Sequence, residues 1–303
     1  MKDMAVIVNL YSGKGIARRG ISDMLDVFCA AGYLPRVHVT QSTEDAKRMA
    51  YELGKETRLL VAVGGDGTLN NVVSGTALLS HRPLLGYIPA GSTNDFARSL
   101  ELPSDVREAA QTVMFGVSRK LDMGRFNDDE YFMYVAGFGA FTEVSYRTPQ
   151  DKKNILGHQA YLLEAVKSLA SIKAIHMRVE WEEGSVEGDF IFGMVSSTTS
   201  VGGLRGIVPR DVSLSDGLFE VLLIRMPKAP ADLPNIVSYL FFKEEENEYV
   251  IRFKTGKVRF VSEEETAWTL DGEFGGLKRE VVIENLKEEL LFVTKGQKPQ
   301  EKC

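Results

Sequence analysis

Short apolar runs and amphipathic stretches alternate along the first part of the chain. The continuous apolar runs predict strands over residues 4–10, 59–63 and 84–88, and alternating apolar and polar residues predict another strand over 34–40. Apolar residues three or four positions apart predict helices over residues 21–31, 43–53, 69–79, 96–100 and 106–115. This alternation indicates a parallel sheet covered by helices, with ligand sites at the carboxyl ends of the strands.

After about residue 121 the pattern changes to strands with few helices between them. The predicted strands cover residues 131–134, 177–182, 190–196, 218–224, 249–253, 257–261 and 281–285, and the predicted helices cover 155–172 and 232–242. Acidic runs at 243–248 and 263–265 are predicted to be solvated loops. We therefore predict an α/β domain over residues 1–121 and a mostly antiparallel β domain over 122–286, with residues 287–303 returning to the first domain.

Composition narrows the class of protein. The 303 residues are 44% hydrophobic, which suffices for globular cores, and a formal net charge of −6 argues against broad nucleic-acid binding. No stretch approaches the roughly 18 apolar residues of a membrane span, and Cys29 and Cys303 lie in no metal-ligand spacing. We expect a cytoplasmic protein that binds no nucleic acid and reaches any lipid from the water side of the membrane.

The strongest chemical feature is a glycine-rich loop, residues 64–68 (GGDGT), directly after the predicted strand at 59–63. Its glycines allow the backbone to approach a phosphate, and the helix that follows directs N–H groups at the same place. Phosphate would repel Asp66, so this carboxylate indicates a site that also holds Mg²⁺. The alternative is a strand-to-helix turn in which Asp66 and Thr68 cap the helix.

A second loop of this kind, residues 91–97 (GSTNDFA), follows the predicted strand at 84–88. It combines hydroxyls with the carboxylate of Asp95, whose alternative role is a helix cap. Two such loops at one sheet edge favour a phosphate site more than one does. A third loop, residues 12–15 (SGKG), lacks the P-loop spacing, and an exposed turn explains Lys14 as well as a phosphate contact does.

Several blocks together resemble the diacylglycerol kinase catalytic family, which includes bacterial lipid kinases and sphingosine kinases. The blocks are GGDGTLNN (64–71), PAGSTNDFAR (89–98), VGGLRGIVPRDVSLSDGLFEV (201–221) and LDGE (270–273). With the NLYSGKG opening they cover most of the chain in the family's order. The resemblance implies a nucleotide-binding α/β domain like that of NAD kinases and phosphofructokinases, a C-terminal β-sandwich, and an active site in the cleft between them.

The resemblance also implies roles for individual residues. Those expected to contact ATP are Asn9, Thr40, Gly65, Asp66, Gly67, Thr68, Leu69, Asn70, Asn71, Thr93 and Asp95. Those expected to hold a structural metal are Ser213, Asp216 and Leu218, although Asp216 with its glycine would also suit a hairpin turn. The family usually has Pro at the position of Leu10 and Glu at the position of Asn71.

The remaining acidic candidates concern proton transfer and Mg²⁺. A lipid alcohol is a poor nucleophile, and a carboxylate within hydrogen-bond reach can accept its proton. The resemblance places Asp271 and Glu273 at the catalytic centre, with the proton acceptor among them; taken alone, the Asp-Gly-Glu sequence is a common surface turn. Asp122 is predicted to join Asp66 and Asp95 in a water-mediated Mg²⁺ network, and a linker aspartate explains it equally well.

The leading hypothesis is an ATP- and Mg²⁺-dependent lipid kinase that touches the membrane surface transiently, with diacylglycerol the first candidate substrate. The alternatives are a kinase of a soluble substrate such as NAD, and a non-catalytic nucleotide- or lipid-binding sensor. A basic cluster could face lipid headgroups, although a solvated helix face explains it slightly better; it comprises Arg147, Lys152, Lys153, His158, Lys167, Lys173 and His176. A homodimer formed through a sheet edge stays open.

Overall fold

The computed structural model describes residues 2–139, 173–198, 200–201, 204–205, 212–229, 232, 236 and 247–296. The predicted helix at 155–172 lies outside these residues, as do most of the predicted helix at 232–242 and most of the acidic run at 243–248. The chain divides into two units. One comprises Met1–Met123 with Leu286–Cys303, and the other comprises Gly124–Asn285.

The first unit contains a parallel sheet with helices, as the hydrophobic pattern predicts. Its strands are β1 (Lys2–Val8), β2 (Tyr33–Val39), β3 (Leu59–Gly64) and β4 (Leu84–Pro89). They lie in the order β4–β3–β1–β2, and the end of strand β15 (Glu273–Thr294) adds to β4 through Phe292 and Leu85, again in parallel. The covering helices are α1 (Ile16–Ala30), α2 (Thr43–Gly54), α3 (Asp66–Ala77), α4 (Asp95–Ser99) and α5 (Val106–Phe115), and a short 3-10 helix spans Ser12–Gly15.

Local chemistry sets the helix ends in this unit. Helix α1 begins five residues before its predicted start, directly after Gly15, whose φ of 79° is a left-handed conformation that glycine adopts at no steric cost. Helix α2 begins at a capping box in which Ser42 and Asp45 satisfy each other's backbone N–H groups. Helix α3 begins at Asp66, three residues before the predicted start at residue 69, so Asp66 lies in its first turn.

The second unit is rich in antiparallel strands. They are β6 (Glu130–Phe132), β7 (Val135–Gly139), β8 (Ile175–Trp181), β9 (Gly184–Ser196), β10 (Ser200–Val201), β11 (Leu204–Arg205), β12 (Phe219–Arg225), β13 (Val250–Thr255) and β14 (Lys257–Leu270). Strand β5 (Val117–Phe126) and β15 each run from one unit into the other. Within this unit the strand order is β13–β12–β9–β7–β14–β15. The long strands β9 and β14 each pair with β8 over one half and with β7 over the other.

The sequence-based strand predictions for this unit need two corrections. The predicted strand at 131–134 ends at Phe132, because the next backbone N–H groups bond to a side chain instead of a neighbouring strand. The acidic run at 263–265 is solvated as predicted, but it is no loop. It lies inside β14, where the register with β15 shifts between Val261 and Thr266, so the exposed glutamates form a bulge.

Each unit has its own apolar core. In the second unit Trp268 lies at the centre, with ring centroids of Phe126, Phe138 and Phe260 within 5.4 Å of its own. In the first unit the sheet residues Val6, Val61 and Ile88 are fully buried under the helices. Among the described residues, no helix is long and apolar enough to cross a membrane.

Candidate active site

Three loops of the first unit meet at the carboxyl ends of β1, β3 and β4. A Cβ added at Gly91 would lie 2.5 Å from the Cα of Gly65, so the two glycine-rich loops touch backbone to backbone. A Cβ added at Gly13 would lie 2.0 Å from the carbonyl oxygen of Ala90, and Gly13 has a φ of +53°. These glycines are required because no side chain fits between the loops. The sequence prediction that both glycine-rich loops lie at one sheet edge is confirmed, and residues 12–15 join them.

Asp66 connects two of these loops through its carboxylate. Its Oδ2 accepts a hydrogen bond from the backbone N–H of Asp95 at 3.1 Å, and its Oδ1 accepts one from that of Phe96 at 3.3 Å. Helix α3 itself begins without a side-chain cap. Asp66 therefore does not cap its own helix, and the alternative in which it does so is excluded. Asp66 satisfies the first N–H groups of α4 instead, which fixes the second loop against the first.

Two residues that sequence reasoning missed complete this arrangement. Asn94 has a φ of 52°, and its side chain accepts from the N–H of Gly91 and donates to the carbonyl of Gly91. The Tyr87 hydroxyl lies 3.2 Å from the carbonyl oxygen of Gly64 and 3.3 Å from Oδ1 of Asn94. Burial, and after it the charge of Asp66, raises the pKa of Tyr87 well above its ordinary value, so this hydroxyl stays a donor. An Asn inside a small-residue loop was the available signal for the first of them.

Further predicted ATP contacts lie beside this edge. The Asn9 side chain donates to the Thr68 hydroxyl at 3.3 Å, which ties the end of β1 to the start of α3. Thr40 follows β2 directly, is buried, and donates its N–H to the carbonyl of Val8 at 3.0 Å. Thr93 is half-buried in the second loop. The fold therefore brings Asn9, Thr68 and Thr40 to the ends of neighbouring strands.

The remaining predicted contacts lie on α3 and face different ways. The side chain of Leu69 is fully buried, and its N–H donates to the carbonyl of Gly65, so this residue supports the loop from the core. Asn71 donates to the carbonyl of Gly67 one turn earlier, and Asn70 accepts from the hydroxyl of Ser74. Asn71, which stands where the family usually has Glu, thus stabilises its own helix.

In the second unit, Asp271 is the most tightly held carboxylate. It is 4% exposed, and three backbone N–H groups donate to it: Met133 at 2.7 Å, Tyr134 at 3.0 Å and Val135 at 3.0 Å. The Tyr134 hydroxyl donates to the backbone carbonyl of Asp271 at 3.2 Å. These contacts hold the carboxylate of Asp271 in one orientation.

The Asp-Gly-Glu sequence forms the turn that the sequence predicts. Leu270 pairs with Glu273, and the two residues between them have positive φ, 50° at Asp271 and 87° at Gly272, as a two-residue type I′ hairpin requires. A surface turn alone does not account for the burial of Asp271. Glu273 differs from it in environment, because its side chain is exposed.

The candidate carboxylates for Mg²⁺ do not form a direct ligand cluster. In the described part of the chain, no group of three or more His, Cys, Asp or Glu could hold a metal ion. Asp95 is 2% exposed in the first turn of α4, and Asp122 is 3% exposed in β5, where it accepts from the N–H of Glu288 at 2.8 Å. Asp122 is thus a buried strand residue and not a solvated linker. Water-mediated binding of Mg²⁺ by Asp66, Asp95 and Asp122 stays a prediction.

The predicted structural-metal cluster lies in the loop before β12. Asp216 is exposed and its Oδ1 accepts from the N–H of Leu218 at 3.0 Å, while the Ser213 hydroxyl accepts from the N–H of Ser215 at 3.3 Å. Gly217 has a φ of 83°, as a tight turn requires. One carboxylate with nearby carbonyls suits a hard cation. The same contacts also suit a plain turn, so the metal role stays a prediction.

Only two members of the predicted basic cluster lie among the described residues. Lys173 is paired with Glu264 at 2.6 Å, and His176 contacts Asp189 at 2.9 Å. Both side chains are exposed and matched by carboxylates, as on a solvated face. Arg147, Lys152, Lys153, His158 and Lys167 lie outside the described residues.

Comparison with known proteins identifies the family. A family described as diacylglycerol kinase catalytic domain matches residues 3–126. The chain is 36% identical to a diacylglycerol kinase of Bacillus subtilis (strain 168) over 279 residues. This aligned stretch covers 91% of this chain and 91% of the relative. The chain is also 36% identical to one of Staphylococcus epidermidis (strain ATCC 12228 / FDA PCI 1200), over 91% of this chain and 87% of the relative. The fold matches a crystal structure of a diacylglycerol kinase from Bacillus anthracis str. Sterne with a TM-score of 0.77 at 21% identity, over 97% of both chains.

These relationships, together with an α/β unit and a β-rich unit, define a lipid kinase. The chain belongs to the diacylglycerol kinase family. The prediction of a lipid kinase is thereby confirmed, whereas the ATP and Mg²⁺ dependence and the substrate stay predictions.

Proposed function

We propose that the protein transfers the γ-phosphate of ATP to the free hydroxyl of diacylglycerol, giving phosphatidate, with Mg²⁺ as cofactor. The observation that carries the proposal is the pair of hydrogen bonds by which Asp66 joins the two glycine-rich loops. They fix backbone N–H groups and carboxylates at the carboxyl edge of the parallel sheet, where α/β folds bind nucleotides. The names of the relatives support diacylglycerol as the acceptor.

Phosphoryl transfer depends mostly on positioning and charge stabilisation. Bound Mg²⁺ would neutralise the developing charge on the phosphates. The loops at Gly13, Gly65 and Gly91 would let the backbone approach the phosphates, since no side chain intervenes. Asp66, Asp95 and Asp122 would bind the metal-bound waters.

Asp271 is the better of the two candidates for proton acceptor. Its carboxylate is buried and held in one orientation, as a group that accepts the hydrogen of the substrate hydroxyl should be. Glu273 is exposed and has no comparable constraint, which suits a residue at the rim of the site.

The test compares two isosteric changes. Asp271→Asn should lower kcat by roughly 10²–10⁴-fold with dioleoylglycerol in mixed micelles and γ-labelled ATP, because the proton acceptor is lost. It should also lower the free energy of unfolding by about 1–3 kcal/mol, because an amide cannot accept from all three N–H groups. Glu273→Gln should change kcat only a few-fold, about the size of one exposed contact.

The stability change can be separated from the catalytic one. Nucleotide binding by Asp271→Asn, measured with a fluorescent ATP analogue at a temperature where the variant is folded, should match wild type. Equal activity of wild type and both variants would refute the assigned role of Asp271. Absence of labelled phosphatidate from the wild-type reaction, in protein shown to bind ATP, would refute the proposed substrate.

A further inference from the structure

Two large apolar side chains lie exposed on the hairpin that carries Asp271. Phe274 is 62% exposed and Leu277 is 53% exposed. They pair across the hairpin with Thr269 and Ala267, which are two residues apart on β14 and therefore lie on one face of the sheet.

A glycine bulge places them together. In a regular strand, residues three positions apart point to opposite faces. Here three steps on β15 oppose two on β14, and Gly276, with a φ of 91°, lies inside the shift. The opposite face of the hairpin is buried through Trp268 in the core of the second unit. The hairpin is therefore amphipathic, and its apolar outer face begins three residues after Asp271.

The charge around this pair excludes an acidic partner. Residues 263–280 carry six carboxylates and two cations, a formal charge of −4. One of the cations, Lys278, lies 3.9 Å from Glu130, and Arg259 next to the segment is paired with Glu280. An anionic headgroup would be repelled here, whereas an uncharged or zwitterionic surface would not.

We infer that Phe274 and Leu277 insert into the hydrocarbon of a net-uncharged lipid surface, and so bring the Asp271 turn to a neutral substrate lipid. The inference rests on the proposed function, in which the acceptor is an uncharged diacylglycerol. An aromatic and an aliphatic side chain side by side suit interfacial insertion. Two side chains are too few for a protein interface, which needs about 800 Å² on each partner. Because attachment here is apolar, it should be insensitive to salt.

The experiment is flotation of the full chain with phosphatidylcholine vesicles that contain diacylglycerol, without nucleotide. The double variant Phe274→Ser/Leu277→Ser should partition onto the vesicles at least about tenfold more weakly than wild type. The matched control is Leu34→Ser/Leu78→Ser in the first unit, where the two side chains are 54% and 52% exposed. This control should bind like wild type. Wild-type binding should be unchanged at high salt and should weaken when phosphatidylserine is added, because the hairpin repels anionic headgroups.

Several results would overturn the inference. One is that wild type binds only when anionic lipid is present, and another is that both double variants float as well as wild type. A third is that the oligomeric state changes in the Phe274/Leu277 variant alone. If the double variant fails to fold, Phe274→Trp provides the readout, because brominated acyl chains should quench its fluorescence. No quenching would contradict insertion. Since flotation involves no catalysis, a failed kinase assay would count against the proposed substrate and leave this result standing.

Discussion

In both candidate regions a carboxylate accepts hydrogen bonds from backbone N–H groups, but the consequence differs. In the α/β unit the carboxylate of Asp66 accepts from backbone N–H groups of a second loop, so it joins two segments of the proposed nucleotide site. In the β-rich unit the carboxylate of Asp271 accepts from three N–H groups of the segment after β6, so the segment orients the carboxylate. The carboxylate of Asp66 thus fixes the position of a loop, whereas the backbone around Asp271 fixes the orientation of its carboxylate. Substitutions should therefore affect nucleotide use in one region and the chemical step in the other.

The sharpest test of this contrast is Asp66→Ala. The rate should fall roughly a hundredfold, because loosened loops misplace the phosphates. Asp105→Ala is the matched control, since Asp105 also accepts from a backbone N–H, that of Glu108, at the start of α5 away from the loops. The control should lose about 1 kcal/mol of stability and keep its rate. Equal rates for the two variants, with both folded by circular dichroism, would break the comparison.

Close backbone contact in the α/β unit gives the next prediction. Gly91→Ala puts a Cβ 2.5 Å from the Cα of Gly65 and 2.7 Å from Oδ1 of Asn94. We expect about 1–3 kcal/mol of destabilisation from overpacking and a KM for ATP raised roughly tenfold, within the range that small misplacements cause. Gly32→Ala is the control, because it meets no atom within 4 Å and suffers only its φ of +82°. An unchanged KM in Gly91→Ala would show that the contact is dispensable.

Substitution of one tyrosine in each region should have a smaller effect that differs between the regions. Tyr87→Phe removes a hydroxyl beside Gly64 and Asn94, and Tyr134→Phe removes the donor to the Asp271 carbonyl. Each should lower the free energy of unfolding by about 1 kcal/mol. Steady-state kinetics should show a KM for ATP raised a few-fold in the first and a kcat lowered a few-fold in the second. The reverse pattern would contradict the division of roles.

The smallest expected effect concerns pH and lies away from both regions. The hydrogen bond that His176 donates to Asp189, with help from Glu187 and the charge of Glu263, raises the pKa of His176 above its ordinary value of 6.5. A raised folded-state pKa contributes stability that is fully present below about pH 6.5 and is lost as the pH rises through the higher folded value. Urea midpoints of wild type and His176→Gln should therefore differ slightly at acidic pH and converge above neutrality. A difference in urea midpoint that grows as the pH rises would contradict this prediction.

The sequence predicts helix α5 and the central strands of the α/β unit well, because β3 and β4 are short apolar runs that lead into glycine-rich loops. Helix α5 has the predicted bounds, and β3 and β4 differ by one residue. What could not be predicted depends on contacts between distant segments. The break after Phe132 exists because its neighbours donate to Asp271, which is 138 residues away from Met133. No local pattern records such a pairing, and the same holds for the bulge at residues 263–265.

The candidate site shows the same division. Motif resemblance made Asp66 and Asp271 candidates, because glycine-rich loops and a short acidic turn are visible in the sequence. It did not identify Asn94 or Tyr87, whose importance comes from a hydrogen-bond geometry that only the folded loops create. Leu69 was included among the ATP contacts by its position in the motif, and the structure places its side chain in the core.

Strand β15 has a consequence for how the protein is made. The parallel sheet of the α/β unit is completed by residues near the end of β15. There Phe292 pairs with Leu85, and its ring packs edge-on against that of Phe96 with the centroids 5.5 Å apart. Those residues follow the whole β-rich unit in the chain. During synthesis from the N-terminus, the edge of β4 therefore stays uncovered until the β-rich unit has left the ribosome. The α/β unit, although first in sequence, is the last to be finished.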